Sequence, residues 1–136
     1  MMRISVALLS FFLLALPAAA ETKTILALGD SLTAGLGLDP PQAFPAQLEA
    51  ALKARGFDVL VVNAGVSGDT AAQGAARLEW SLTDDVDAVI VALGANDALR
   101  GLPPEQVETA LDDILKKLKA RNLKTLVLGM RSPPNL

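Results

Sequence analysis

Ser31 stands in the tetrapeptide Gly29-Asp30-Ser31-Leu32, directly after an apolar run at 24–28. A serine that follows a glycine at the end of a strand offers both its hydroxyl and its own backbone amide to whatever lies in front of the sheet. The hydroxyl becomes an effective nucleophile at neutral pH only when an adjacent base takes its proton. The 136 residues contain no histidine to do so. Aspartate and serine are also favoured helix caps, so the tetrapeptide alone is equally consistent with a helix start.

Two further turn-rich segments carry the donors that acyl transfer needs. Attack on a carbonyl carbon puts negative charge on its oxygen, and a site stabilises that charge with N–H groups already in place. Gly68, in Asn63-Ala64-Gly65-Val66-Ser67-Gly68-Asp69, offers a backbone amide with no Cβ to block approach. Asn96, in Gly94-Ala95-Asn96-Asp97, offers a side-chain amide that donates two hydrogens and stays neutral. Each is also an ordinary turn residue. Their occurrence with Ser31, one in each of three successive strand-end loops, is what points to a crevice for acyl transfer.

The elements that must hold these residues follow from hydrophobic patterning. Continuous apolar runs at 24–28, 58–63, 88–93 and 125–130 read as strands buried on both faces. Helical patterns fill the intervals. The first, 44–55, has Leu48 and Leu52 one turn apart, Pro45 near its start and Gly56 at its end. The second, 70–82, is alanine-rich and begins where Asp69 or Thr70 can cap it. The third, 103–121, carries a stripe of Val107, Leu111, Ile114, Leu115 and Leu118. Glu105 and Glu108 lie early in it and Lys119 and Arg121 late, matching the helix dipole, while Asp112–Lys116 and Asp113–Lys117 pair one turn apart. Strands alternating with helices imply an α/β fold with a parallel sheet, right-handed crossovers and helices on both faces. Ligands in such sheets gather at the carboxyl ends of the strands. The glycine-rich clusters at 29–37, 63–68 and 94–96, and the turn at 131–135, fall there.

Composition narrows the function classes. Residues 1–20 have one cation at Arg3, an apolar run at 4–16 and then Pro17-Ala18-Ala19-Ala20, the pattern of a cleavable secretory signal peptide. That leaves one domain over 21–136 and a periplasmic or secreted location. The apolar run falls short of the roughly 20 residues needed to span a bilayer, so no stable membrane anchor is expected. Net charge is −3 and becomes more negative when Arg3 leaves, so no nucleic-acid partner is expected. Without cysteine or histidine there is no thiol nucleophile and no usual zinc ligand set, and neither a metal nor a cofactor is expected.

From about residue 24 onward the chain resembles the SGNH, or GDSL, hydrolase superfamily. Within it the likeness is to the bacterial periplasmic arylesterase and acyl-CoA thioesterase I/lysophospholipase I group. Three ordered blocks carry the resemblance: Gly29-Asp30-Ser31-Leu32-Thr33-Ala34-Gly35, Asn63-Ala64-Gly65-Val66-Ser67-Gly68-Asp69-Thr70 and Gly94-Ala95-Asn96-Asp97. The resemblance implies a three-layer α/β/α, flavodoxin-like fold. It implies hydrolysis of small carboxylic esters or thioesters through an acyl-Ser31 intermediate, with the Ser31 amide, the Gly68 amide and the Asn96 side chain around the oxyanion. It implies that Asp30 and Asp97 fix the loops.

The resemblance also implies a fourth block, Asp-x-x-His, after one further strand, and no such block occurs in the sequence. The expectation is therefore an incomplete copy of the domain, without the last strand and helix, poorly active and with no general base. Two alternatives stay open. Asp69, Asp97 or Glu105 serves as a substitute base, a poor match at neutral pH for a carboxylate with an ordinary pKa of about 4; or the chain is a non-catalytic module that binds an acyl or ester group. Leu32, Leu36, Leu38 and Leu102 are read as loop anchors packed on the core rather than as the lining of an acyl crevice.

Overall fold

Four strands, β1 (Lys23–Gly29), β2 (Val59–Gly65), β3 (Val86–Ala92) and β4 (Lys124–Val127), form one parallel sheet in the order β2-β1-β3-β4. The structure is a computed structural model and describes residues 21–131; the expected signal peptide and 132–136 lie outside the described residues. Register decides what meets at the sheet's crest. Gly29 is level with Gly65 on one side and Ala92 on the other, so the loops leaving β1, β2 and β3 start side by side.

Among the described residues five α-helices, with a short 3-10 turn at Pro40–Gln42, connect the strands: α1 (Ser31–Ala34), α2 (Phe44–Ala54), α3 (Ala71–Ser81), α4 (Ala95–Leu99) and α5 (Pro104–Ala120). One sheet face carries Leu26 and Leu28 of β1 and Val89 and Val91 of β3. They pack with Ala71, Ala75 and Leu78 of α3 and Ile114 and Leu118 of α5 in a single cluster. Burying such side chains is worth about 1.5–3 kcal/mol each, which makes this cluster the main stabilising mass of the fold. On the other face α2 packs on β2, where Val59 and Val61 are buried. Helices on both faces of a parallel sheet are the expected three layers.

Helix boundaries follow the chemistry read from the sequence. Thr70, not Asp69, caps α3: its hydroxyl accepts from the Gln73 amide while the Gln73 side chain accepts from the Thr70 amide, a reciprocal capping box. In α5, Ile114 and Leu118 are fully buried, Val107 and Leu111 pack against the cluster, and Leu115 lies at the margin, 36% exposed. The Asp112–Lys116 and Asp113–Lys117 pairs form on its outer face, each at 2.7 Å.

The expectation that all four strands are buried on both faces holds for the two central strands and fails at the edges. Leu60 and Val62 of β2 are exposed, and every residue of β4 is exposed, Leu126 to 56%. An outer strand has one strand neighbour rather than two, and hydrophobic runs do not reveal which strands are outermost. The regular part of β4 is also shorter than expected, ending at Val127, although the Leu128 amide still donates to the Val91 carbonyl at 2.9 Å. The free edge of β2 is covered instead by a side chain: Glu49 accepts the outward Val61 amide at 2.8 Å and pairs with Lys53. No helix among the described residues is long and apolar enough to cross a membrane.

Candidate active site

The nucleophile turn is short and tightly held. Asp30 is the residue that caps α1, its carboxylate accepting the Leu32 amide at 3.0 Å, and Gly35 closes the helix in the left-handed region. Capping therefore falls to Asp30, fully buried, and leaves Ser31 as the first helical residue with its side chain partly exposed. Beneath the turn, β2 approaches so closely that a Cβ on Gly65 would lie 2.2 Å from the Ala34 nitrogen. Only a glycine permits that approach.

The second loop rises from the tip of β2. The Val66 amide donates to the Gly29 carbonyl at 3.0 Å, and the Asp69 amide to the Val66 carbonyl at 3.1 Å, forming a turn with Gly68 at φ +88°. Asp69, nearly buried, pairs with Arg77 of α3 at 2.6 Å, and the same guanidinium donates to the Gly29 carbonyl at 2.9 Å. From the rim, Arg100 donates to the Gly68 carbonyl at 2.7 Å.

Asn96, in α4, joins the loops. Its side-chain nitrogen donates to the Asp69 carbonyl at 2.9 Å and to the Asp30 carboxylate at 3.3 Å. Asp97 points the other way: 2% exposed, it accepts the buried Ala71 amide at 2.9 Å and fixes α4 to the start of α3. Asp30, Asp69 and Asn96, one from each of the three blocks, are thus linked, the Asn96 amide bonding to both aspartates. Ser31, Gly68 and Asn96 lie in or just beyond the three loops at the carboxyl end of the parallel sheet, Ser31 partly exposed.

Among the described residues proton transfer has no comparable arrangement. Asp69 and Asp97 already accept from Arg77 and Ala71, and Glu105 lines a groove between α3 and α5 together with Ala72 and Thr109. The described residues hold no cluster of three or more acidic, histidine or cysteine side chains that could bind a metal ion.

The apolar lining differs from expectation. Leu32, Leu36 and Leu38 are 67%, 72% and 54% exposed among the described residues rather than packed on the core. Only Leu102 is partly buried. Leu32 instead borders a cavity of about 660 Å³ with Leu99, Leu111, Val127 and Met130. Arg77, Leu99 and Met130 carried no signal in the sequence. A cation within a helix reads as surface, and a cavity wall drawn from four separate elements has no period.

The description "GDSL-like Lipase/Acylhydrolase family" belongs to the family model that matches residues 27–136. Among similar proteins are an esterase, TesA, of Pseudomonas aeruginosa, 44% identical over 117 residues, covering 85% of this chain and 58% of its own length. An arylesterase of Vibrio mimicus is 39% identical, with 94% and 64% covered. A thioesterase 1/protease 1/lysophospholipase L1 of Escherichia coli K12 is 43% identical, with 86% and 55% covered. Among solved structures, the SGNH-hydrolase family esterase AlinE4 superposes with a TM-score of 0.82 at 46% identity, over 87% of this chain and 64% of that one. The chain thus spans 55% to 64% of the length of these curated relatives.

Proposed function

The chain belongs to the GDSL-like lipase/acylhydrolase family, and from that premise we propose that residues 21–136 carry the nucleophile and oxyanion half of a site that hydrolyses carboxylic esters or thioesters. Ser31 Oγ attacks the carbonyl carbon and forms the acyl-serine bond. The carbonyl electrons move onto oxygen, which the Ser31 amide, the Gly68 amide and the Asn96 side chain receive; the carbonyl re-forms as the alcohol or thiol leaves with the proton given up by Ser31, and water then cleaves the acyl-serine bond to release the acid. The acyl or aryl group lies toward the apolar cavity bordered by Leu32, Leu99 and Met130. Residues 1–20 direct the protein to the periplasm or beyond. The relatives' names, an esterase, an arylesterase and a thioesterase/lysophospholipase, support the reaction class and leave the leaving group open.

One observation carries this reading. The Asn96 amide bridges the Asp69 carbonyl and the Asp30 carboxylate, so the donor is aimed by both flanking loops before any substrate arrives. The longer contact, to Asp30 at 3.3 Å, is the one an oxyanion would share.

With no histidine in the sequence, the Ser31 proton has no partner of suitable basicity. Loss of the base in a Ser-His-Asp system removes on the order of 10⁶ in turnover and leaves about 10³–10⁴ over water. The purified 136-residue chain is therefore expected to hydrolyse p-nitrophenyl acetate at a rate hardly above its Ser31→Ala variant. Robust Ser31-dependent turnover would overturn that and assign a carboxylate as base. The second reading, a module that holds an acyl group without reacting, is favoured only by the absence of histidine; saturable fatty-acid binding with no covalent adduct at Ser31 would establish it.

A further inference from the structure

The guanidinium of Arg77 lies where the nucleophile strand and the oxyanion loop come together, and it touches both. Its Nη2 donates to the Gly29 carbonyl at 2.9 Å, two residues before Ser31. Its Nε donates to the Asp69 carboxylate at 2.6 Å, one residue after Gly68. Ser81, one turn further along α3, sits 3.4 Å from Nη1 and donates its own hydroxyl back to the Arg77 carbonyl, propping the side chain. The Gly29 carbonyl also accepts the Val66 amide, so both of its lone pairs are used, by the first residue after β2 and by Arg77. Arg77 is largely buried, its side chain 22% exposed and that of Asp69 11%.

We propose that Arg77 is a positioning residue for acyl transfer: it sets the separation of Ser31 from the Gly68 amide and neutralises the Asp69 carboxylate, which directly follows Gly68 in the chain. This rests on the roles proposed above for Ser31 and Gly68. Two physical arguments carry it. A planar fork with donors on both edges spans a carbonyl and a carboxylate at once, whereas an ammonium supplies charge without that span. And an uncompensated Asp69 next to Gly68 would repel charge developing on the substrate oxygen in a site where water is partly excluded.

The test uses the whole chain with Arg77→Met and Arg77→Lys. One arm reads amide hydrogen exchange at Val66, Gly68 and Asp69 against Leu26 and Val89 in the central strands. The other reads formation of acetyl-Ser31 from p-nitrophenyl acetate, with imidazole supplied as the base. In Arg77→Met, exchange in the loop should rise about 10-fold or more while the central strands stay within about twofold. The maximal acetylation rate should fall roughly 10- to 100-fold, the scale of a small misplacement, with the half-saturating ester concentration unchanged. Arg77→Lys should restore the central strands fully and the rate only in part, which a merely structural role would not produce. Unchanged loop exchange in Arg77→Met, or full recovery of the rate by lysine, would overturn the proposal. Should Arg77→Met loosen the central strands as well, Arg77→Lys decides. If the unaltered chain yields no acetyl-Ser31, the functional reading falls, and the exchange arm still judges the clamp.

Discussion

Around Asn96 each polar side chain has a partner: Asp30 holds the Leu32 amide, Asp97 the Ala71 amide, Asp69 the Arg77 guanidinium. Beside β4 the reverse holds. All four of its residues are exposed, and Val127, Leu128 and Met130 border an open apolar cavity where, among the described residues, Arg131 is the one titratable group. The contrast separates two requirements of acyl transfer that are often treated as one. Stabilising charge on the substrate oxygen takes donors fixed by short local loops, and the donors proposed for this role all lie between Gly29 and Asp97. Moving the proton takes a base of matched pKa, for which the histidine-free sequence has no obvious residue. The first half stands without the second because its loops are tied to one another rather than to a base.

The contrast can be broken most directly at its joint. Asn96→Ala removes both the proposed oxyanion donor and the link between loops, and acetylation of Ser31 in the presence of imidazole should fall roughly 10²- to 10³-fold. A loss below tenfold would mean that the amide is only a turn residue. Asp97→Ala leaves the buried Ala71 amide without a partner, and urea unfolding should show a loss of about 1–3 kcal/mol. Leu126→Thr, by contrast, changes a side chain already 56% exposed on β4 and should cost less than about 0.5 kcal/mol. Equal costs for these two would erase the difference between the regions.

A smaller effect sharpens where the structure responds to pH. Lys53, and then the Val61 amide, hold Glu49 below its usual pKa; Lys23 and the Thr24 amide do the same for Asp87. A carboxylate whose pKa is lower folded than unfolded contributes stability above its unfolded value, lost as pH falls through the folded one. The stability these two carboxylates contribute should therefore be level from about pH 5 to neutrality and decline below about pH 5. Glu49→Gln should reduce that slope without altering Ser31 acetylation at neutral pH, because Glu49 guards the outer edge of β2.

The central strands were legible because parallel strands covered on both faces are written as unbroken apolar runs, and α5 because its stripe repeats over several turns. The three blocks around Ser31, Gly68 and Asn96 were legible because residues that are ordinary one by one recur together in three successive strand-end loops. Three things were not. Helices α1 and α4 span four and five residues, too short for a periodic pattern. The exposure of Leu60 and Leu126 depends on which strands lie outermost, which register decides and composition does not. And the pairing of Arg77 with Gly29 and Asp69 joins positions 48 and 8 residues apart through side-chain geometry alone.

The most direct test is intact-mass analysis of the purified chain incubated with p-nitrophenyl acetate, with and without imidazole, beside Ser31→Ala. A nucleophile and oxyanion half without a base predicts a single acetyl group on Ser31 that accumulates when imidazole is supplied, forms hardly at all without it, and is absent from the variant. No adduct at Ser31 under any condition, or rapid Ser31-dependent turnover with no imidazole present, would contradict it.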